Sequence, residues 1–302
     1  MGIHGSTRDI WDVLEGDDTA RLVIEASSSG DDKELQKLLS QPQWIKTMLE
    51  RPETIYSDMD PKEAPNAVRE VMAMPMFNLE RALNAGAWNG HAAVVSALLT
   101  FATQQGMHAS DIITRWTINK TIFNGHAAAF KALASADPNV INFSLGHGTL
   151  PLYEAVRLRQ PDMVAVLLEL GADPLHPVEP SKNIEGFNSS LMSKAALCEG
   201  PRMTQMLLDY GVPIAHTSAL HTAAACGHLD TMRLLMQHGA DANEVNSKWR
   251  GWTPMHFAAS EGEVDAMKLL EQSGAHSDSK DANDKTPAQV LEEYTFSKST
   301  HQ

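Results

Sequence analysis

SALHTAAACGHLDTMRLLMQHGADAN, residues 218–243, reads as two short helices that meet at Gly227 and stop at Gly239. Ala223 and Ala224 are small enough to let the two helices approach closely. Met232, Leu235 and Met236 form an apolar stripe at helical spacing in the second helix. Gly239 suits the left-handed residue that ends a helix, and the Asp- and Asn-rich turn after it carries the chain away. Such a hairpin has apolar surface on two sides, so it folds only when stacked on neighbours.

The pattern recurs. GWTPMHFAASEGEVDAMKLLEQSGAHSD begins at Gly251, and His221, Gly227 and Gly239 reappear 35 residues on as His256, Gly262 and Gly274. Pro254 opens the first helix of this copy, where a missing N–H costs nothing. Earlier copies are LPLYEAVRLRQPDMVAVLLELGADP (150–174) and LMSKAALCEGPRMTQMLLDYGVP (191–213). LNAGAWNGHAAVVSALL (83–99) and INKTIFNGHAAAFKALA (118–134) share N-G-H at the turn, and ARLVIEASSSGDDKELQKLLS (20–40) reads as an opening copy. TPAQVLEEY after Lys285 reads as a truncated last one. The expectation is an all-α solenoid of stacked helix–turn–helix pairs, about seven repeats plus a C-terminal cap.

These residues resemble ankyrin repeats, through TPMHFAA, SALHTAA, the N-G-H and C-G-H turns, HGADAN and SGAHSD. The resemblance is closest over 217–288, weaker over 79–174, and faintest over 18–40 and in the copy ending at Gly211. It implies paired antiparallel helices, a protruding loop between pairs, and a curved stack with a concave face. It also implies scaffold roles for five histidines. His221 and His256 would hydrogen-bond within the fold, and His91, His126 and His228 would open second helices after the turn glycine.

The spacing departs from the family. Gly171, Gly211, Gly239 and Gly274 are 40, 28 and 35 residues apart, against a family period of about 33. The long interval carries LHPVEPSKNIEGFNSS, the short one leaves only PIAHTS, and SKWRGW lengthens the loop before the last full copy. Between Gln41 and Met76 lie QWIKTMLE and AVREVMAM, which read as one or two extra helices. The expected organisation is a tail at 1–17, a single solenoid at 18–296 and a tail at 297–302. The solenoid would carry a helical insertion at 41–78 and a long inter-repeat loop at 174–190. Long insertions in a short-loop scaffold point to function as readily as to structure.

Composition narrows the partners. The 302 residues include 38 acidic and 24 basic ones, a formal charge of −14 that repels phosphate backbones. Nucleic acid is therefore not an expected partner. Hydrophobic residues make up 43%, enough for a real core. No apolar run reaches the length of a membrane span. Two cysteines, Cys198 and Cys226, make no disulfide framework and point to a reducing compartment, so the expected location is cytoplasmic with the nucleus open. MGIHGS fits the short N-myristoylation pattern through Gly2 and Ser6.

In the family, residues just before the turn after the first helix line the concave face. Here they would be Trp88–Asn89, Phe123–Asn124, Arg157–Leu158, Leu197–Cys198, Ala225–Cys226 and Ser260–Glu261. Candidate partner- or ligand-binding residues are thus Trp88, Phe123, Tyr153, Arg157, Leu158 and Cys198, with Trp249, Arg250 and Trp252 in an exposed finger. Trp88 and Phe123 either meet a ligand or are covered by the 41–76 segment. The finger tryptophans either anchor a partner or fold back onto the next repeat.

Chemistry leaves no signature. No HExxH or Cys/His zinc spacing joins the remaining histidines, and GxGxxG, GxxxxGK[ST] and GxSxG do not occur. No metal or cofactor is expected, and the sequence names no catalytic residue. Neighbouring helix pairs pack about 8–10 Å apart and a disulfide needs about 7 Å or less, so Cys198 and Cys226 should be free thiols. Two functions stay open: a non-catalytic scaffold that recognises a protein through its concave face and loops, or a small-molecule-binding protein or enzyme. In the second, the 41–78 insertion and the 174–190 loop would roof an apolar pocket near Trp88, Phe123, Tyr153 and Arg157.

Overall fold

The computed structural model describes residues 18–50, 77–146, 149–175 and 190–299. It divides after Phe143 into two compact units, and each is taken by itself.

The first unit contains α1 (Asp18–Ser29), α2 (Asp32–Leu39), α3 (Pro42–Leu49), α4 (Asn78–Trp88), α5 (Ala92–Gln104), α6 (Arg115–Phe123) and α7 (Ala127–Ala136). First helices stack on first helices, α1 on α4 and α4 on α6, and second helices on second, α2 on α5 and α5 on α7. The extra helix α3 is the QWIKTMLE segment. It buries Trp44 and Met48 against α1 and α4. The Glu50 carbonyl then accepts a hydrogen bond from the Asn78 N–H at 3.1 Å, which ties the end of α3 to the start of α4. The second expected helix, AVREVMAM, lies outside the described residues.

The second unit contains α8 (Pro151–Arg157), α9 (Pro161–Glu169), α10 (Leu191–Ala196), α11 (Arg202–Asp209), α12 (Ala219–Ala225), α13 (Leu229–Gln237), α14 (Pro254–Glu261), α15 (Val264–Gln272) and the closing helix α16 (Pro287–Ser299). Here α8, α10, α12, α14 and α16 stack in order. Strands are absent among the described residues.

The local causes match the sequence. Proline opens α8, α9 and α14. Ala223, Ala224, Ala258 and Ala259 are fully buried where helices meet, and Met232 and Leu235 are buried on the second helix. Each buried side chain of Leu or Met size contributes about 1.5–3 kcal/mol. Asp31 caps α2 by accepting from the Glu34 N–H at 3.0 Å, which also places negative charge at the helix's positive end.

Histidines join one repeat to the next. His91 Nε2 lies 3.0 Å from the Ser28 carbonyl, and His126 Nε2 lies 2.8 Å from the Trp88 carbonyl. In the second unit His228 Nδ1 meets the Ala196 carbonyl at 3.1 Å. His221 Nε2 reaches the Glu244 carbonyl at 2.8 Å and His256 Nε2 the Lys285 carbonyl at 3.0 Å, so both tie a first helix to the loop beyond its partner helix. The Thr253 N–H donates to His256 Nδ1, which leaves Nε2 as the protonated nitrogen that donates to Lys285.

Candidate interaction site

In the first unit, Trp88 ends α4 and Phe123 ends α6, as aligned turns require. The two are not a bare aromatic pair. Trp116, the second residue of α6, stacks on Trp88 with ring centroids 5.5 Å apart and planes at 20°. Above them the Lys120 ammonium lies 5.0 Å from the Trp88 ring, 5.9 Å from Trp116 and 5.6 Å from Phe123. Trp116, Lys120 and Phe123 fall at helical spacing i, i+4 and i+7, one stripe of α6. Sequence reading missed Trp116 and Lys120 because it compared only residues beside the turn; the stripe itself was legible.

This cluster is held from behind. The Trp88 carbonyl accepts from Asn124 Nδ2 and from His126 Nε2. Phe123 keeps 54% of its surface exposed, while Trp88 and Trp116 are half-buried. Lys120 has no carboxylate partner among the described residues. On α4, Arg81 sits two turns before Trp88; burial depresses its pKa, partly offset by neighbouring Glu80. The surface is therefore aromatic and cationic on a chain that is acidic overall.

In the second unit the predicted residues behave less uniformly. Arg157 is not a free cation: Nε and Nη2 both bond the Glu154 carboxylate, with Nε to Oε2 at 2.8 Å. That bonding raises its already high pKa. An acidic ligand group would have to displace Glu154. Leu158 caps the same helix half-buried. Tyr153 is buried, with Lys194 Nζ 5.3 Å from its ring. Cys198 is buried too, its Sγ 3.6 Å from Met203 Sδ, and burial pushes the thiol pKa up. It is core, and its place on a binding strip is corrected on that ground. Cys226 is an exposed free thiol, its pKa likewise raised chiefly by desolvation.

An open pocket of about 270 Å³ lies beside Tyr153, with Leu150, Asp173, Met192, Val212 and Thr217 among its walls. That is at the lower edge of the size of ligand pockets, roughly 300 Å³. The expected roof, the 51–76 part of the insertion and residues 176–189 of the loop, lies outside the described residues.

The finger is folded back on one side only. Trp252 is half-buried, its indole N–H donating to Asp281 Oδ2 at 2.9 Å. Its ring also lies edge-on to Phe257, centroids 5.2 Å apart. Trp252 is therefore a strut of the scaffold rather than a free contact. Trp249 leans toward Phe257 at 6.4 Å yet stays 46% exposed, and Arg250 is exposed. Among the described residues no group of three or more His, Cys, Asp or Glu side chains is arranged to hold a metal ion. No described helix is long and apolar enough to cross a membrane.

Comparison with known proteins agrees with the repeat geometry. Residues 191–281 match the family model described as ankyrin repeats (3 copies). The human ASB11 ankyrin repeat domain superposes with a TM-score of 0.55 at 23% identity, covering 71% of this chain and 96% of that one. The ankyrin repeat domain of Bcl-3, a member of the IkappaB protein family, gives 0.51 at 23% identity, covering 70% and 96%. At that identity the likeness concerns the fold. A search of curated proteins returns no match.

Proposed function

The chain is an ankyrin-repeat protein by fold, and by sequence over residues 191–281, and from that premise we propose that it is a non-catalytic scaffold that recognises a protein partner. Ankyrin repeats generally bind proteins. The observation that carries the proposal is the α4–α6 surface, where Phe123 stays more than half exposed beside the Trp88–Trp116 stack and Lys120. Clustered aromatic side chains, tryptophan above all, often dominate interface energetics. A preformed aromatic surface also loses little side-chain freedom on binding.

Photo-crosslinking tests this. A benzophenone amino acid replaces Phe123, and separately Gln237 at the exposed end of α13, in cells that express the chain. The expected result is a discrete protein adduct at position 123, absent at 237 and lost when Lys120→Met is added without a change in melting. Equal adducts at both positions, or adducts indifferent to Lys120→Met, would remove the proposal.

The pocket beside Tyr153 supports a second reading, a small-molecule site in the second unit. Thermal-shift screening of metabolites against wild type and Met192→Trp, which would fill the pocket, separates it from the first. A ligand whose stabilisation Met192→Trp abolishes favours the pocket.

A further inference from the structure

We propose that the loop from Asn246 to Trp252 is a preformed docking element for an acidic segment of a partner protein that carries a bulky apolar side chain. Trp249 is its apolar anchor, and Lys248 and Arg250 are its carboxylate-binding cations. This rests on the protein-recognition reading and names the partner's chemistry.

The loop is tightly bonded for a seven-residue excursion. Asn246 N–H donates to the Trp252 carbonyl at 2.8 Å, and the Trp249 and Gly251 N–H groups both donate to the Asn246 carbonyl at 3.1 Å. The Asn246 side chain accepts from the Lys248 N–H at 3.0 Å and donates to Ser218 Oγ at 2.9 Å. At the far side the Arg250 carbonyl accepts from Ala282 N–H at 2.8 Å. Trp252 is anchored on Asp281. With the loop closed on both flanks, Trp249 and its neighbours have their backbone positions set before any partner arrives. Arg250 has φ 56°, left-handed backbone for a residue with a Cβ. Such backbone strain persists where surrounding bonds hold it, and it gathers at ligand clamps.

Charge identifies the partner. Most other described cations in this unit have a partner in place. Arg157, Arg202, Arg233, Lys268, Lys280 and Lys285 each pair with a carboxylate. Lys194 and Lys298 lie over tyrosine rings. Lys248 and Arg250 are exposed with no carboxylate partner among the described residues, as is Arg159, and they flank the exposed indole directly in sequence. On a chain of charge −14, a cation–tryptophan–cation tip complements an acidic segment and repels basic ones. The rest of the surface disfavours an extended polyphosphate.

The test is fluorescence anisotropy at low and moderate salt with three labelled probes. They are a short peptide of alternating Glu and Leu around one Phe, the same peptide with Lys for Glu, and a single-stranded oligonucleotide. The acidic peptide should bind the full chain, more weakly as salt rises, and the basic peptide should not. Trp249→Ala and the double variant Lys248→Gln/Arg250→Gln should each weaken binding about tenfold or more, with circular dichroism melts confirming that the variants fold. Failure of the acidic peptide to bind, equal binding by the double variant, or tighter binding of the oligonucleotide overturns the assignment. Should Lys120→Met abolish peptide binding while the loop variants retain it, the loop assignment falls and protein recognition stands. Should no peptide bind while position 123 still crosslinks a protein, only the acidic-partner inference falls.

Discussion

The indole N–H of Trp252 donates to the carboxylate of Asp281, 2.9 Å away and 29 residues further along the chain. The same carboxylate accepts from the backbone N–H groups of Asn283 and Lys285 at 2.8 and 3.0 Å. Burial by itself would raise the Asp281 pKa; these three donors outweigh it and hold the carboxyl below its ordinary value. One side chain thus organises the turn ahead of α16 and pins the base of the 246–252 loop.

Asp281→Ala should therefore cost about 2–3 kcal/mol, because a charge-assisted acceptor is lost and three donors are left to water or to nothing. Trp252→Phe keeps the ring contact with Phe257 and loses one bond, so about 1–2 kcal/mol is expected. Urea denaturation of both variants checks the order. If Trp252→Phe is the more damaging, ring packing rather than the carboxylate organises this turn.

Glycines at the turn and at the stop should respond differently. Gly90 has φ 80°, and a Cβ there would lie 2.5 Å from His126 Nδ1. Gly239 has φ 90°, but nothing lies within 4 Å of its added Cβ. Gly239→Val should cost somewhat more than about 1 kcal/mol, from left-handed backbone alone. Gly90→Val should cost more still, because the His126 staple to Trp88 must also move. Shifts in urea midpoint decide it, and equal costs would mean that the staple contributes nothing.

Acid should loosen the second unit. Burial holds the His221 pKa down at about 4, and it depresses that of His256 in the same direction. The unfolded chain takes up a proton below about pH 6.5 that folded His221 refuses until about pH 4. The stability held by the neutral ring is complete above about 6.5 and falls as pH drops toward 4, by on the order of 3 kcal/mol. Asp281 titrates lower and does not contribute to this window. Denaturation at pH 7.5 and 5 should show a smaller difference in His221→Gln than in wild type; an equal difference would assign the loss to other groups.

The two thiols should be distinguishable in the native state. Cys226 is exposed and Cys198 buried, with both pKa values raised by desolvation. A disulfide reagent should titrate one thiol in the folded chain, faster as pH rises, and the second only on unfolding. Cys226→Ser should abolish the native reaction. Rapid reaction of both thiols would contradict the burial of Cys198.

The repeat was legible because its determinants are local. Turn glycines, helix-opening prolines, alanines at helix contacts and the 35-residue recurrence of His221 as His256 each act within one or two helices. Those features sufficed for the all-α fold and the helix pairs; the scaffold role of the histidines was implied by the ankyrin resemblance, and each bonds a carbonyl that its own repeat or the adjoining one presents. What the chain order could not carry was which side chain satisfies which neighbour. Arg157 looked like a free cation until Glu154, one turn earlier, came into reach. Trp249 and Trp252 lie three residues apart in one loop, yet Asp281 draws only Trp252 inward. The Trp88–Trp116–Lys120 arrangement likewise needs α4 laid against α6. Local backbone preference is written in composition and spacing, whereas the exposure and charge of a surface depend on contacts between residues about 30 positions apart, and only tertiary packing decides those.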